Sequence, residues 1–256
     1  MLMFERKTYF DMVRDTLFYG KMSQDQVNGQ EFIIDTWEDT RHTQDFRYLA
    51  YELATTIHET ASTMMPIEEY GKGKGMPYGI PDAQTGETYY GRGFVQLTWK
   101  NNYEKMTPLI DPMFPSQPID LAKNAKQALV PEFAAAIMFE GMERGMFRKD
   151  SKGPQTLARY FNDTVDDAYE AREIINGDKK KVPSWSGGFS IGNLIAGYHG
   201  KFLGALKAAA AAHVPPMIDT PAPPTESPEM VQVALTVPEG QSMDITVNGQ
   251  IVAQVR

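Results

Sequence analysis

The chain has 256 residues, 42% of them hydrophobic and 11% aromatic, with 25 basic against 33 acidic side chains and a formal charge of −8. That balance disfavours a nucleic-acid partner, which normally leaves a basic footprint. No run approaches the roughly 20 apolar residues that span a bilayer, so no membrane insertion is expected. The absence of cysteine excludes a disulfide framework, a thiol nucleophile and thiolate metal sites, and the histidines at 42, 58, 199 and 213 lie far apart. Neither a metal nor an organic cofactor is expected.

Met1-Leu2-Met3-Phe4 runs straight into Glu5-Arg6-Lys7, leaving no readable signal peptide; synthesis in the cytoplasm is expected, with the export route open. Residues 1–213 read as one mainly helical domain with a helical lead-in over 1–44. Ser23-Gln24-Asp25-Gln26 has capping-box form ahead of Val27, Ile34 and Trp37. Phe46, Leu49, Ala50, Leu53, Ala54, Ile57 and Ala61 follow helical spacing, which predicts a helix from about Asp45 that buries this stripe. A glycine-rich, non-helical stretch is expected over Tyr70 to Tyr103. Pro131 suits the first turn of a helix ending near Arg144-Gly145, Asp166 to Ile175 reads as a helix that exits at Asn176-Gly177, and Ile191 to Leu206 as a long amphipathic one. Six of the seventeen prolines fall between Val214 and Pro228, a semi-rigid linker over 214–229. Beyond it, alternation of Val231 to Val237, Met243 to Val247 and Ile251 to Val255 predicts a three-stranded β-meander over 230–256, with turns at Pro238-Glu239-Gly240 and Asn248-Gly249. So small an appendage requires docking, on the main domain, on its own copies, or on a cell wall or particle.

The candidate chemistry is carboxylate chemistry. At ~100° per residue, Glu59 falls on the helix face of Tyr48, Glu52 and Thr55, away from the buried stripe. A glutamate there is ordinarily a solvated surface charge. Here, however, the helix ends in His58-Glu59-Thr60, and a loop with two more acids, Glu68 and Glu69, follows at once. One carboxyl on a rigid helix end and another on a loop is the pairing that glycoside hydrolysis needs: one protonated to release the leaving oxygen, the other ionised to activate water. Position 62 is Ser, so the His-Glu pair is not a zinc-protease motif.

Within Tyr89-Tyr90-Gly91-Arg92-Gly93-Phe94-Val95-Gln96-Leu97-Thr98-Trp99, the glycines allow close approach of another backbone or a ligand. Val95, Leu97 and Trp99 alternate with Gln96 and Thr98, as in a short strand. Gln96 and Thr98 then share a face that either hydrogen-bonds a sugar amide and holds a water, or simply meets solvent.

The Tyr-Tyr-Gly-Arg-Gly run, followed by Val95-Gln96-Leu97-Thr98 and Asn101-Asn102-Tyr103, with His58-Glu59-Thr60 upstream and Ile174-Ile175-Asn176-Gly177 downstream, resembles glycoside hydrolase family 19 over about residues 45–205. That family comprises plant-type chitinases and related bacterial and phage endolysins. The lead-in Phe10 to Trp37, especially Lys21 to Val27, resembles that of its bacterial and phage members. The resemblance implies a lysozyme-like, two-lobed helical domain and an inverting mechanism. It implies Glu59 as general acid, Glu69 as general base with Glu68 as the alternative, and Thr98 as the hydroxyl that holds the attacking water. It also implies Gln96, Asn102 and Asn176 as sugar ligands, and Tyr90 and Arg92 as cleft architecture with a sugar contact. One departure is Asn193-Leu194, where plant members carry an arginine after the asparagine.

The expected activity is hydrolysis of β-1,4 bonds in an N-acetylhexosamine polymer, with peptidoglycan favoured, as in cell-wall lysis by a phage endolysin or lysozyme, and chitin the alternative. A lytic transglycosylase, which needs one acid and no activated water, and a non-catalytic sugar-binding or structural module are the other readings. An inverting acid must stay protonated, which partial burial or a nearby carboxylate would favour, and its partner carboxyl should stand ~6.5–9.5 Å away.

Overall fold

A computed structural model describes residues 3–41, 45–213, 243–247 and 250–255, the last two ranges by their backbone alone. The chain divides into two units, Met1–Val214 and Pro215–Arg256. In chain order the first carries α1 (Arg6–Leu17), α2 (Gln24–Thr40), α3 (Phe46–Glu59), β1 (Ile67–Glu68), β2 (Arg92–Gly93), α4 (Lys100–Ile110), α5 (Pro131–Glu143), β3 (Lys149–Asp150), β4 (Gly153–Pro154), α6 (Leu157–Tyr160) and α7 (Ile191–Ala212). It is mainly helical, as the apolar periodicity requires. Among the described residues no helix is long and apolar enough to cross a membrane.

The helices begin where a side chain satisfies their free N–H groups. Glu5 accepts from Lys7 and Thr8 at α1, Ser23 and Gln26 form the reciprocal capping box of α2, Asp45 accepts from Arg47 at α3, and Ser190 accepts from Asn193 at α7. Pro131 opens α5, and Gly145 follows its end at φ +64°.

The core is built on α3, which packs along α7, while α7 also packs on α1. Leu49, Ala50, Leu53, Ala54 and Ile57 are buried as expected. The opposite face of α3 is not the solvent face that the pattern predicts: Glu52 and Thr55 are 0% and 1% exposed. Here α5 lies against α3, with Thr56 Oγ1 3.3 Å from Met138 Sδ, and Glu143 and Arg41 face the Glu52 carboxyl. Neither oxygen of Glu52 has a hydrogen-bond partner, and burial, with Glu143 adding to it, pushes its pKa well above the carboxylate range.

Two further expectations are corrected. The segment 166–175 is not a long helix but a 3-10 turn over Glu170–Ile174. Asp166 is drawn into a bridge with Phe161, and the Asp167 side chain accepts from the Glu170 N–H at 2.9 Å, so the turn starts late. In addition, α4 begins at Lys100, inside the stretch expected to be non-helical; its N-cap, Trp99, makes no side-chain cap and so leaves no start signal.

In the second unit β5 (Met243–Val247) pairs antiparallel with β6 (Gln250–Val255), in register from Met243 opposite Val255, with a shift between Ile245 and Thr246. These correspond to two of the three expected strands. The strand expected over 231–237, both turns and the 214–229 linker lie outside the described residues.

Candidate active site

Glu59 is the last residue of α3, and the chain leaves it by a fixed path. The Ser62 N–H donates to Ile57 O at 2.8 Å, with Ala61 and Ser62 at φ +50° and +65°, the left-handed exit that closes a helix C-terminus. Thr60, fully buried, returns its hydroxyl to Thr56 O at 2.7 Å and accepts from the Met64 N–H at 3.1 Å. From α2, Gln26 Nε2 donates to Ser62 O at 2.8 Å. A Cβ on Gly29 would stand 1.8 Å from Met64 O, so only glycine lets α2 lie this close. The lead-in helix thus props the turn that follows Glu59.

Of the two settings expected to favour a protonated acid, partial burial is met, the Glu59 side chain being 15% exposed, but its paired neighbour is a cation and not a carboxylate. Arg172, 2% exposed in the 3-10 turn, donates from Nη1 to Glu59 Oε1 at 2.5 Å and from Nε to Asp178 Oδ1 at 2.7 Å. Burial opposes its charge, but Glu59 and Asp178 outweigh burial and hold its pKa above the usual arginine range. The His58 imidazole is pushed below its ordinary pKa, mainly by burial, against the pull of Glu59.

The two acids after α3 have separate fates. On β1, which pairs with β2 through Glu68 opposite Arg92, the Glu68 carboxylate takes the Tyr90 hydroxyl at 2.6 Å and Lys72 Nζ at 2.8 Å. Those partners hold its pKa below the carboxylate range. Glu69 lies one residue beyond: its N–H donates to Gly91 O at 2.7 Å and its Oε2 accepts the Gly91 N–H at 3.1 Å. Its loop is closed by glycine packing, since a Cβ on Gly79 would meet Gly73 O at 2.0 Å.

Tyr90 and Arg92, expected to be cleft architecture with an added sugar contact, are 7% and 2% exposed and line neither cavity of the site. The Arg92 guanidinium lies 3.7 Å over the Tyr90 ring and donates to Thr88 O at 2.8 Å and the Tyr103 hydroxyl at 3.1 Å. They are internal architecture that seats β2 against β1.

Gln96 and Thr98 share the cavity surface, but not through a strand. Residues 94–96 form a turn, Gln96 and Trp99 adopt φ +52° and +76°, and Leu97 returns to bridge Arg92. Gln96 spends its amide N–H groups on Ile67 O and Gly93 O at 3.1 and 3.2 Å, which leaves its carbonyl free to accept. The Thr98 hydroxyl donates to Gln96 O at 2.7 Å, so it can accept from a water but has no proton to offer it. Asn102 Nδ2 donates to Thr98 O at 2.8 Å and ties α4 to this turn.

Two cavities of about 370 Å³ each share Glu59, Tyr78, Gln96, Thr98 and Asn176 in their walls. Glu69 and Gly91 line one, and Trp99, Asn102 and Arg148 the other. Glu59, Glu69, Thr98, Gln96, Asn102 and Asn176 are therefore brought together, while Glu68, Tyr90 and Arg92 stay in the wall behind. Arg172 and Asp178 carry no motif: Arg172 lies within the segment expected to be a helix and Asp178 just beyond its exit. The available signal was an arginine surrounded by acids four residues before Asn176.

No protein-family profile matches the chain, and no curated protein sequence matches it. Among solved structures, the chain is similar to chitinase C from Streptomyces griseus HUT6037, at 18% identity, over 81% of this chain and 94% of that one, with a TM-score of 0.49. It is also similar to a bacterial family 19 chitinase, at 18% identity, over 80% and 95% with a TM-score of 0.48. A class IV chitinase of the same family from Zea mays is 19% identical over 77% and 94%, with a TM-score of 0.43.

Proposed function

We propose that the first unit is an inverting glycoside hydrolase that cleaves β-1,4 bonds between N-acetylated hexosamines, with Glu59 as general acid and Glu69 as general base. The observation that carries this reading is the shared cavity. Two carboxyls from different elements, a helix end and the loop after β1, line one space together with Thr98 and Gln96. Glu59 protonates the leaving oxygen; Glu69 takes a proton from water on the far side of the sugar; the Thr98 hydroxyl accepts a hydrogen bond from that water and orients it. The carbonyl of Gln96 suits an acetamido N–H. As Glu59 gives up its proton, Arg172 stabilises the carboxylate it becomes. While Glu59 is protonated, Asp178 keeps Arg172 paired, so the cation is not stranded.

We favour peptidoglycan as the polymer, from the endolysin-like lead-in and the cysteine-free chain, with synthesis in the cytoplasm and action on the bacterial wall. Chitin is the alternative, since both polymers contain the N-acetylglucosamine β-1,4 unit that the cavity residues suit. The test is product analysis on purified sacculi and soluble chitin oligomers in parallel, with Glu59→Gln as control. New reducing muropeptides from sacculi alone give a muramidase, and cleavage of chitin oligomers alone gives a chitinase. Anhydro products give a transglycosylase, and turnover retained by Glu59→Gln ends the assignment of the acid.

A further inference from the structure

The loop that joins the 3-10 turn to α7 displays aromatic surface that the fold leaves unused. Trp185 is 65% exposed and Phe189 60%, whereas Trp37 is fully buried. A large apolar ring kept in water forgoes the free energy of burial, and a lone one needs no explanation, but here two stand on one short loop beside the end of α3.

This loop is built rather than loose. The Ile191 N–H donates to Lys181 O at 2.9 Å and the Gly192 N–H to Lys179 O at 3.0 Å, closing its base. Ser186 donates to Pro183 O from both its N–H and its hydroxyl, at 3.1 and 2.8 Å, folding the tip around Trp185. Gly187 and Gly188 then turn the chain at φ +64° and +93°. The loop also starts at the acid: Asp178, just before it, is ion-paired to the Arg172 that holds Glu59. The indole of Trp185 lies 6.4 Å from the imidazole of His58, the residue before Glu59, yet it lines neither cavity.

We infer that Trp185, with Phe189 on the same loop, is a carbohydrate platform that extends the glycan site past the two cavities. A hexosamine further along the strand stacks the C–H face of its ring on the indole. That face of a pyranose is apolar and carries the positive ends of its C–H bonds, which suits the electron-rich face of tryptophan. A loop whose backbone is already closed loses little freedom on binding. The occupant is the glycan strand because the indole stands beside His58, the residue before Glu59 at the end of α3. The inference rests on the glycan reading of the cleft.

The test uses the full chain with Glu59→Gln, so that ligands are bound and not consumed. Short and long chitin oligosaccharides, and peptide-free glycan strands from sacculi fractionated by length, are titrated by calorimetry. The long ligand of at least one series should bind about tenfold more tightly than its short counterpart. Adding Trp185→Ala should remove that gain and leave short-ligand affinity and the thermal midpoint unchanged, while Trp185→Phe should restore part of it. Equal affinities with and without Trp185→Ala on the long ligand, or no binding of either series, overturns the platform. If the unmodified chain releases no products yet the length-dependent gain still requires Trp185, the platform stands and the hydrolytic reading falls. Hydrolysis that is indifferent to Trp185→Ala on polymer, with the affinities also unchanged, gives the converse.

Discussion

The Arg172 guanidinium bridges Glu59 and Asp178 from a site that is 2% exposed, so one buried cation serves two carboxylates. Removing a buried partner strands the charges it leaves, which typically costs about 3 kcal/mol or more. Arg172→Met should therefore lower stability by about that amount, read as a fall in the thermal midpoint. Arg172→Lys keeps the charge but cannot span two carboxylates with a planar fork. It should fold, with turnover reduced roughly ten- to hundredfold and KM little changed, because the contact is to the acid rather than the sugar. A folded Arg172→Lys with an unaltered kcat and pH–rate profile would reduce Arg172 to a packing role.

Glu68 and Glu69 are neighbours in sequence and separable in function. Glu68 is already committed to Lys72 and Tyr90, whereas Glu69 shares a cavity with Glu59 and Thr98. Glu69→Gln is expected to lower kcat by about 10²–10⁴-fold, the usual contribution of a positioned base, with the thermal midpoint nearly unchanged. Glu68→Gln should do the reverse: a modest fall in the midpoint as the contacts to Lys72 and Tyr90 weaken, and kcat within about tenfold of the parent. The opposite pattern of rates would exchange their roles.

Helical periodicity made the frame legible, because a buried stripe such as Leu49 to Ile57 leaves its spacing in the sequence, and so do caps such as Ser23-Gln26. Glu59, Gln96 and Thr98 were legible as candidates through their motifs. Their placement was not, since it depends on a left-handed turn at Gln96 that mimics strand alternation in the sequence. Tyr90 and Arg92 sit within a motif that reads as cleft wall with an added ligand contact, and their burial leaves only the wall. Glu52 was misread for a related reason. A helix covered on both sides by α7 and α5 does not advertise its second buried face when that face carries Glu and Thr. Arg172 left only a weak signal because Glu59, which it joins to the nearby Asp178, lies 113 residues away and no period links the two.

Glu52 makes stability fall as pH rises. Both folded and unfolded chains hold its proton below about pH 4.5, the ordinary glutamate value. Above that, the unfolded chain releases the proton while the folded chain, with the carboxyl buried and unpartnered, keeps it. Stability that is present at low pH is therefore lost progressively toward alkaline pH. Glu52→Gln cannot ionise, so it should raise the thermal midpoint by a few degrees at pH 8 and by little at pH 4.5. Equal shifts at both values would mean that Glu52 is ionised in the folded chain.

His199 acts with the opposite slope. The residue is 5% exposed, its ring stacked 5.1 Å from Phe161 and tilted 5.8 Å from Tyr51, with Nε2 unpartnered; burial pushes its pKa from 6.5 down to about 4. Above pH 6.5 the imidazole is neutral in both states and the full stability is present. As pH falls from 6.5 toward 4, the unfolded chain takes up a proton that the folded chain refuses, and stability is lost across that window, by about 3 kcal/mol at its lower end. His199→Phe keeps the aromatic stack and removes the titration, leaving the Glu52 slope, so from pH 6.5 to 4.5 its midpoint should rise relative to the parent's. Glu52 provides the internal control: it offsets the loss in this range, so Glu52→Gln should fall toward acid more steeply than the parent, whereas His199→Phe should not fall. A parent chain equally stable at pH 4.5 and 6.5, with Glu52→Gln behaving the same, would mean that His199 reaches water in the folded state.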